Sequence, residues 1–419
     1  MRPRLEPTRI ACEMLGNPQS NYPIIHITGT NGKTSTARII ERILRELGLK
    51  TGRLTSPHLV RFNERISLDG EPIEDERFLQ TYLETKPILE LVDEKLASQG
   101  EQPLTFFEAM TAIAFQVFSD APVDVLVLEV GIGGEWDSTN VADADVAVFT
   151  AIDLDHMKQL GTTVEEIATT KAGIIKDKSI VVSSPQMSGV AEVLRTRTQQ
   201  GLYISGSDFQ LVDASGEGFG TRFSVIGTAG SYPNLWMPII GFHQAENAAT
   251  AIAAVEQFLG GRSIADEYLR VAIADAVSPG RLQVVSKEPL VVLDGAHNPA
   301  GIASLDVAIK HHFSEPDRIG LVAMVADKDI DTAARQFAEM FPRIVVTELT
   351  GERVLAAEDF ASKISANGGN VIRTEPQLKE ALKFAKETAQ TEDIAMFVTG
   401  SLYLIGAVLG ELQVDDDEE

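Results

Sequence analysis

Residues 29–34, Gly-Thr-Asn-Gly-Lys-Thr, are the first whose types and spacing could do chemistry. Glycines at 29 and 32 let the chain turn so that backbone N–H groups converge on an anion. Lys33 adds a positive charge and Thr34 a hydroxyl suited to Mg²⁺. An apolar run, "PIIHIT", precedes the loop and a helix-forming segment follows it. The spacing departs from G-x-x-x-x-G-K-[ST], because Ile27 stands where the first glycine would fall. A ligand-free strand-to-helix turn is the alternative, and lysine and threonine together favour an ATP-type phosphate site.

Magnesium takes oxygen or imidazole ligands and keeps several waters, so its ligands belong at the carboxyl ends of strands beside such a loop. Glu129 ends the apolar run "VLVLEVG", where a carboxylate without a cation would be costly to bury. His156 follows another apolar run in "AIDLDHMKQLG". A capping carboxylate and a core histidine are the structural alternatives; the nearby phosphate loop favours metal ligation. Lys171, in "EEIATTKAGIIK", reads from the residues alone as a solvated helix-end charge. "DGAHNP", residues 294–299, puts an acid and a histidine at a strand end, where a plain turn is the competing reading.

The elements that must position these groups alternate along the chain. "PIIHIT", "VDVLVLEVG", "ADVAVFTAI" and "SIVVSS" are apolar without period-2 alternation, which predicts strands buried on both faces of a parallel sheet. Ile39, Ile40, Ile43, Leu44 and Leu47 form one helical stripe after the loop. Residues 201–241, rich in Gly, Ser and aromatics, predict a small antiparallel excursion before an alanine-rich helix near Ala245. Alternation restarts with "LVVLDGAHN", "GLVAMVA", "RIVVTEL" and "IAMFVTG". Ser278, Pro279 and Gly280 read as a hinge. The expectation is two α/β domains, 1–280 with a mostly parallel sheet flanked by helices and 281–419 smaller and Rossmann-like, with the site in the cleft between them.

A chain of 419 residues is long for one core. Its net charge of −25, from 36 Lys plus Arg against 61 Asp plus Glu, argues against nucleic-acid or membrane-surface partners. No apolar run approaches the ~20 residues that span a bilayer, and "MRPRLEPTRIACEML" lacks a signal-peptide core. Cys12 is the single cysteine, which excludes an intrachain disulfide. A cytoplasmic location is expected. The closing "DDDEE" reads as a solvated tail.

The motifs "GTNGKT", "TSPHL", "NERI", "LTFFEA", "LEVGIGG", "DSTN", "DLDH", "KAGIIK", "SPGR", "DGAHNP" and "TGSLYL" span about residues 15 to 405. In kind and order they resemble folylpolyglutamate synthase/dihydrofolate synthase, a branch of the Mur-ligase superfamily. "GTNGKT" is shared with cell-wall Mur ligases, whereas "TSPHL", "FFEA" and "DGAHNP" are specific to the folate branch. The resemblance implies an ATP-dependent amide ligase that adds L-glutamate to dihydropteroate, to reduced folates, or to both, through an acyl phosphate with release of ADP and phosphate. It also implies a monomer.

Carried over by that resemblance, Gly29, Thr30, Asn31, Gly32 and Lys33 hold the phosphates, and Thr34, Ser56 and Glu129 serve a first Mg²⁺. His156 resembles a ligand of a second Mg²⁺, and Lys171 matches the family's carbamylated lysine. Arg281, Asp294 and His297 match positions that close on ATP from the second domain, and Asn247 is similar to the adenine-side asparagine. Ser401 falls in the glutamate-handling region and Arg65 by the reaction centre. Thr105, Phe107 and Asp137 resemble the residues that hold a pterin.

In "GGEWDSTN", Glu135 and Trp136 replace the "GGRxDATN" pattern of many members. Two other readings predict different behaviour. A cell-wall Mur ligase calls for a UDP-sugar-peptide domain before residue 23, where the chain is short. A P-loop switch protein would hydrolyse nucleotide without joining anything.

Overall fold

The computed structural model describes residues 4–313, 316–351 and 354–417, with two main sheets and one small one. The first sheet contains β1 Ile24–Thr28, β2 Thr51–Leu54, β3 Ile66–Leu68, β4 Glu71–Pro72, β5 Val125–Glu129, β6 Val146–Phe149, β7 Ile180–Ser183 and β8 Leu202–Ile204. Their order is β4-β3-β2-β5-β1-β6-β7-β8. All neighbours are parallel except at the β2-β3-β4 edge, which is antiparallel. The apolar runs behave as predicted: every residue of β1, β5 and β6 is buried, because helices cover both faces.

Alternate residues of one strand serve opposite faces. Ile25, Ile27, Val125 and Val127 pack on helices Lys33–Glu46 and Phe242–Phe258. Ile24, Leu126 and Leu128 pack on the other side, against helices Asp75–Ser98 and Phe106–Asp120. The stripe Ile39, Ile40, Ile43 and Leu44 is fully buried, each side chain contributing roughly 2 kcal/mol, and Leu47 packs at its edge. This burial fixes the helix that begins at Lys33, and with it the phosphate loop.

The antiparallel excursion is β9 Gln210–Glu217, β10 Gly220–Ile226 and β11 Ser231–Met237, ordered β11-β10-β9. Its Phe223, Val225, Leu235 and Met237 join the same core. The alanine-rich helix starts at Phe242, three residues before the predicted Ala245.

The second large sheet comprises β12 Gln283–Lys287, β13 Leu290–Asp294, β14 Arg318–Val322, β15 Arg343–Val346, β16 Val371–Thr374 and β17 Ala395–Thr399. The order is β12-β13-β17-β14-β15-β16, parallel except for β12. Ser278–Gly280 lies between helix Asp266–Ala274 and β12, and Ser278 Oγ is 2.8 Å from Ser35 Oγ on the phosphate-loop helix. Among the described residues no helix is long and apolar enough to cross a membrane. The last helix, Leu402–Asp417, takes in the start of the acidic run, whose side chains lie outside the described residues.

Candidate active site

The carboxyl ends of both large sheets face one cavity of about 770 Å³. From the first sheet come residues 29–35 after β1, Ser56 after β2, Glu129 at the end of β5, Asp153, Asp155 and His156 after β6, and Ser184 after β7. Asp294 at the end of β13, His297 just beyond it, Lys328 after β14 and Ser401 after β17 face them from the second. Open α/β sheets bind ligands at this end.

The loop itself is shaped by close approach. Gly29 and Gly32 have φ of 150° and 91°, and a Cβ would lie 1.9 Å from Thr150 Oγ1 at the first and 2.4 Å from Asn247 Oδ1 at the second. Side chains are excluded there on both conformational and steric grounds. Thr30 is tied down by its N–H to the Ala151 carbonyl (2.8 Å) and its hydroxyl to the Asp153 carbonyl (2.9 Å). Lys33 Nζ donates to the carbonyls of Gly29 (3.1 Å) and Thr30 (3.2 Å). Burial pushes the Lys33 ammonium down, against the opposing pull of Glu129 and Asp155. An incoming anion would relieve that cost.

Thr34 and Glu129 converge. The Thr34 hydroxyl donates to Glu129 Oε1 at 2.8 Å, with Oε2 at 3.1 Å, and the Ser56 N–H reaches Oε2 at 3.2 Å. Burial pushes the Glu129 carboxyl up, while Lys33 and these donors pull it down. A buried carboxylate beside the Thr34 hydroxyl fits Mg²⁺, which uses one or two carboxylates and completes its shell with phosphate oxygens and water. Among the described residues no group of three or more His, Cys, Asp or Glu side chains is placed to hold a metal. Burial also pushes the His156 imidazole down, Lys328 adding to the effect, which keeps it in the neutral form that ligates metals.

Lys171 is not the solvated helix-end charge that the sequence alone suggests. Its side chain is 3% exposed and Nζ donates to the Gly29 carbonyl at 2.7 Å. Burial, with Lys33 close by, holds its amine well below the ordinary lysine range. An unprotonated amine reacts with CO₂ where an ammonium does not.

The second sheet answers with its own charges. The Asp294 carboxylate accepts from the N–H groups of Leu282 (2.9 Å) and Ala296 (2.8 Å), an arrangement that sets the turn after β13. Arg281 lines the cavity beside it. Burial pushes the His297 imidazole down to about 4, and its Nδ1 lies 2.8 Å from the Gly295 carbonyl. Ser401 Oγ accepts from the Tyr403 N–H at 3.1 Å. Arg65 donates from Nε to His58 Nδ1 at 2.8 Å and lies 5.5 Å over the Phe106 ring. Asn247 donates to Gln244 Oε1 at 3.1 Å, at the start of helix Phe242–Phe258.

Asp137 lines the cavity with Phe107, and accepts from Ile132 N–H (3.0 Å), Thr139 N–H (3.0 Å) and the Thr139 hydroxyl (2.6 Å). Thr105 lines no part of it. Its hydroxyl caps helix Phe106–Asp120, accepting from Glu108 N–H, while Glu108 returns the bond to Thr105 N–H at 2.7 Å. All the other predicted site residues line the one cavity, whereas Glu135 and Trp136 stand outside it.

A cross-cleft network joins Asp155, Lys328 and Asn298, to which the motifs assign no role. Lys328 Nζ pairs with Asp155 Oδ1 at 2.7 Å, both nearly buried. Asn298 Nδ2 donates to Asn31 Oδ1 (3.1 Å) and Asp155 Oδ2 (3.2 Å), and Asn31 Nδ2 returns a longer bond to Asn298 Oδ1 (3.3 Å). Burial disfavours charge on Asp155, but Lys328, His156 and His297 outweigh it and hold the carboxyl well below the ordinary range. The available signal was the placement of "DLDH" and "ADKD" just beyond apolar strands.

Known proteins match most of the chain. Residues 27–255 match the Mur ligase middle domain, and residues 280–402 the Mur ligase glutamate ligase domain. The dihydrofolate synthase/folylpolyglutamate synthase of Mycobacterium tuberculosis is 37% identical over 96% of this chain and 90% of that protein. The folylpolyglutamate synthase of Lacticaseibacillus casei is 35% identical over 94% and 91%. Among solved structures, the M. tuberculosis folylpolyglutamate synthase complexed with ADP and AMPPCP superposes with a TM-score of 0.92 at 37% identity, covering 97% of this chain and 95% of that one. An FPGS–AMPPCP–folate complex gives 0.85 at 35%, covering 98% and 96%.

Proposed function

This chain belongs to the folylpolyglutamate synthase/dihydrofolate synthase family of Mur ligases, and starting from that membership we propose how its cleft works. It is an ATP-dependent ligase that joins L-glutamate to folates. In our reading it also accepts dihydropteroate, with Phe107 stacking on the pterin and Asp137 accepting from its N–H groups. A monomer in the cytoplasm is part of the same reading.

The observation that carries the mechanism is the meeting of the phosphate loop and the Thr34–Glu129 pair with Arg281, Asp294, His297 and Lys328 across one cavity. A carboxylate is a poor acyl donor because oxide is a poor leaving group. Its oxygen therefore first attacks the γ-phosphorus of ATP, forming an O–P bond as the bond to the β-phosphate oxygen breaks and ADP departs. Residues 29–33 cradle the phosphates, and Lys33 with Arg281 neutralises the charge that builds on the β-phosphate oxygen. His297, neutral and with its Nδ1–H given to the Gly295 carbonyl, presents Nε2 as an acceptor from the facing sheet, and Asn247 orients the base. Arg65 stands over the acyl group. The unprotonated α-amine of glutamate, positioned by Ser401, then attacks the acyl carbon; the C–O bond to the phosphoryl group breaks, and the departing phosphate takes up the proton that the nitrogen sheds as the amide forms.

Mg²⁺ bound by Thr34, Ser56 and Glu129, with a second at His156 and a carbamylated Lys171, would neutralise phosphate charge. Carbamylation turns Lys171 from a cation that repels a metal into an anion that faces it. A carbamate resonance in ¹³C NMR after ¹³C-bicarbonate loading, absent in Lys171→Ala, is the expected result; identical spectra would remove this role. The function itself is tested by incubating the protein with ATP, Mg²⁺, glutamate and either dihydropteroate or a reduced folate. Mass spectrometry should find each acceptor heavier by one glutamyl residue, and unchanged acceptors would refute the proposal.

A further inference from the structure

A second groove, about 720 Å³, lies on the outer side of the phosphate-loop helix. Arg38, Arg42 and Arg45 of helix Lys33–Glu46 line it, with Gly70 and Glu71 at the β3–β4 turn and Asp275 beyond helix Asp266–Ala274. None of these residues belongs to the cleft described above.

The groove's acceptors are mostly taken, and so is Arg42, but its other two arginines are not. Glu41 is engaged in a buried pair with Arg53 at 2.5 Å, while Glu46 and Asp275 each accept from Arg42 at 2.8 Å. The guanidinium groups of Arg38 and Arg45, by contrast, make no hydrogen bond or ion pair among the described residues. Arg45 sits so close over Gly70 that a Cβ there would lie 1.8 Å from Nη1, so a glycine is required for the arginine to occupy this place. Arg38 is partly buried. Burial, with Arg53 adding like charge, pushes its guanidinium down to about 10, against the pull of Glu41, Glu64 and Glu129. Desolvating a guanidinium without an acceptor is costly, and an anion in the groove would offset that cost.

Positions 38 and 45 are two helical turns apart, about 10 Å along the axis. A ligand that satisfies both must therefore carry separated negative groups. Each guanidinium fork fits one carboxylate in bidentate geometry. The neighbouring carboxylates, Glu41, Glu46, Glu71 and Asp275, make the field mixed, which tolerates spaced single charges better than a dense phosphate chain.

We propose that this groove binds a chain of carboxylates, the oligo-γ-glutamyl tail of an extended folate, at a site separate from the reacting cleft. The identity of the ligand rests on the folate-ligase reading; the arginine geometry does not. Tail binding would hold a lengthened product on the enzyme by its distal charges while the cleft turns over.

The test is calorimetric titration of the full chain, at low salt and with AMPPCP and Mg²⁺ present, with tri-γ-glutamate, which lacks a pterin. Arg45→Gln should weaken binding about tenfold, and Arg38→Gln/Arg45→Gln should abolish it. Arg45→Gln should leave turnover on a monoglutamyl folate unchanged. Arg45→Lys, which keeps charge but loses the fork, should fall between wild type and Arg45→Gln. No binding to wild type, equal affinity in wild type and Arg45→Gln, or inorganic triphosphate binding as tightly as tri-γ-glutamate would overturn the assignment. Acceptor-dependent ADP release is a separate measurement, so loss of the folate-ligase reading and loss of this site are told apart.

Discussion

Glu129→Gln separates a metal-handling carboxylate from a structural one. In the wild type the side chain accepts from the Thr34 hydroxyl and the Ser56 N–H, at distances of 2.8 and 3.2 Å. Hydrogen bonds to a charged group are worth about 1.5–3 kcal/mol each, so weakening them costs stability. Glutamine still accepts from Thr34, but its amide nitrogen turns a donor toward Ser56 N–H. Against this, the variant no longer buries a carboxylate whose charged form burial disfavours. The two effects oppose, and the net change in folding stability should lie within about 1 kcal/mol. Turnover has no such compensation, because an amide does not replace a carboxylate toward Mg²⁺. We expect kcat/KM to drop ~100-fold or more, about 2.7 kcal/mol in transition-state stabilisation. The assays are chemical denaturation, ADP release, and AMPPCP affinity with and without Mg²⁺. The variant should lose the gain in affinity that Mg²⁺ gives the wild type. Turnover within threefold of wild type, or a stability loss large enough to explain inactivity by unfolding, would refute the reasoning.

Lys328→Met strands Asp155 as a buried unpaired charge and should cost about 3 kcal/mol in chemical denaturation; Asp155→Asn/Lys328→Met should recover most of it, and additive losses would deny the pair. Asp137→Ala should reduce dihydropteroate use more than folate extension in paired initial-rate assays, and equal loss in both would misplace the pterin. His26 is fully buried on β1, with Nε2 2.9 Å from Thr139 Oγ1. Burial, with Lys176 adding to it, holds the imidazole down to about 3. The unfolded chain takes up this proton near pH 6.5, so the His26 contribution is fully present above about that pH and declines as pH falls toward 3. His26→Gln should flatten the fall in stability between pH 7 and 5, and an unchanged slope would assign it to other groups.

The central strands were legible because burial on both faces demands uninterrupted apolar residues, as β1, β5 and β6 have. The edge was not. β2 reads "TGRL" and carries Arg53, whose charge is met by Glu41 from a helix and by the Thr55 and Ser67 hydroxyls. No local pattern announces a charge neutralised by tertiary contacts. The same holds for Asp155 and Lys328, which are 173 positions apart and paired only by the fold. For Thr105 the sequence did carry the structural signal, since Thr105-x-x-Glu108 is a capping box. Lys171 erred in the other direction: its place in a helix was readable, but its burial depends on how that helix packs behind the phosphate loop.

The central claim is that the loop at residues 29–34 binds ATP in order to phosphorylate a carboxylate. Its most direct test is ADP release by wild type and Lys33→Ala, with reduced folate and glutamate supplied together and each omitted in turn. We predict one ADP per amide formed, no sustained release when either substrate is missing, and none from Lys33→Ala under any condition. Nucleotide turnover indifferent to folate and glutamate, or near-wild-type amide formation by Lys33→Ala, would contradict it.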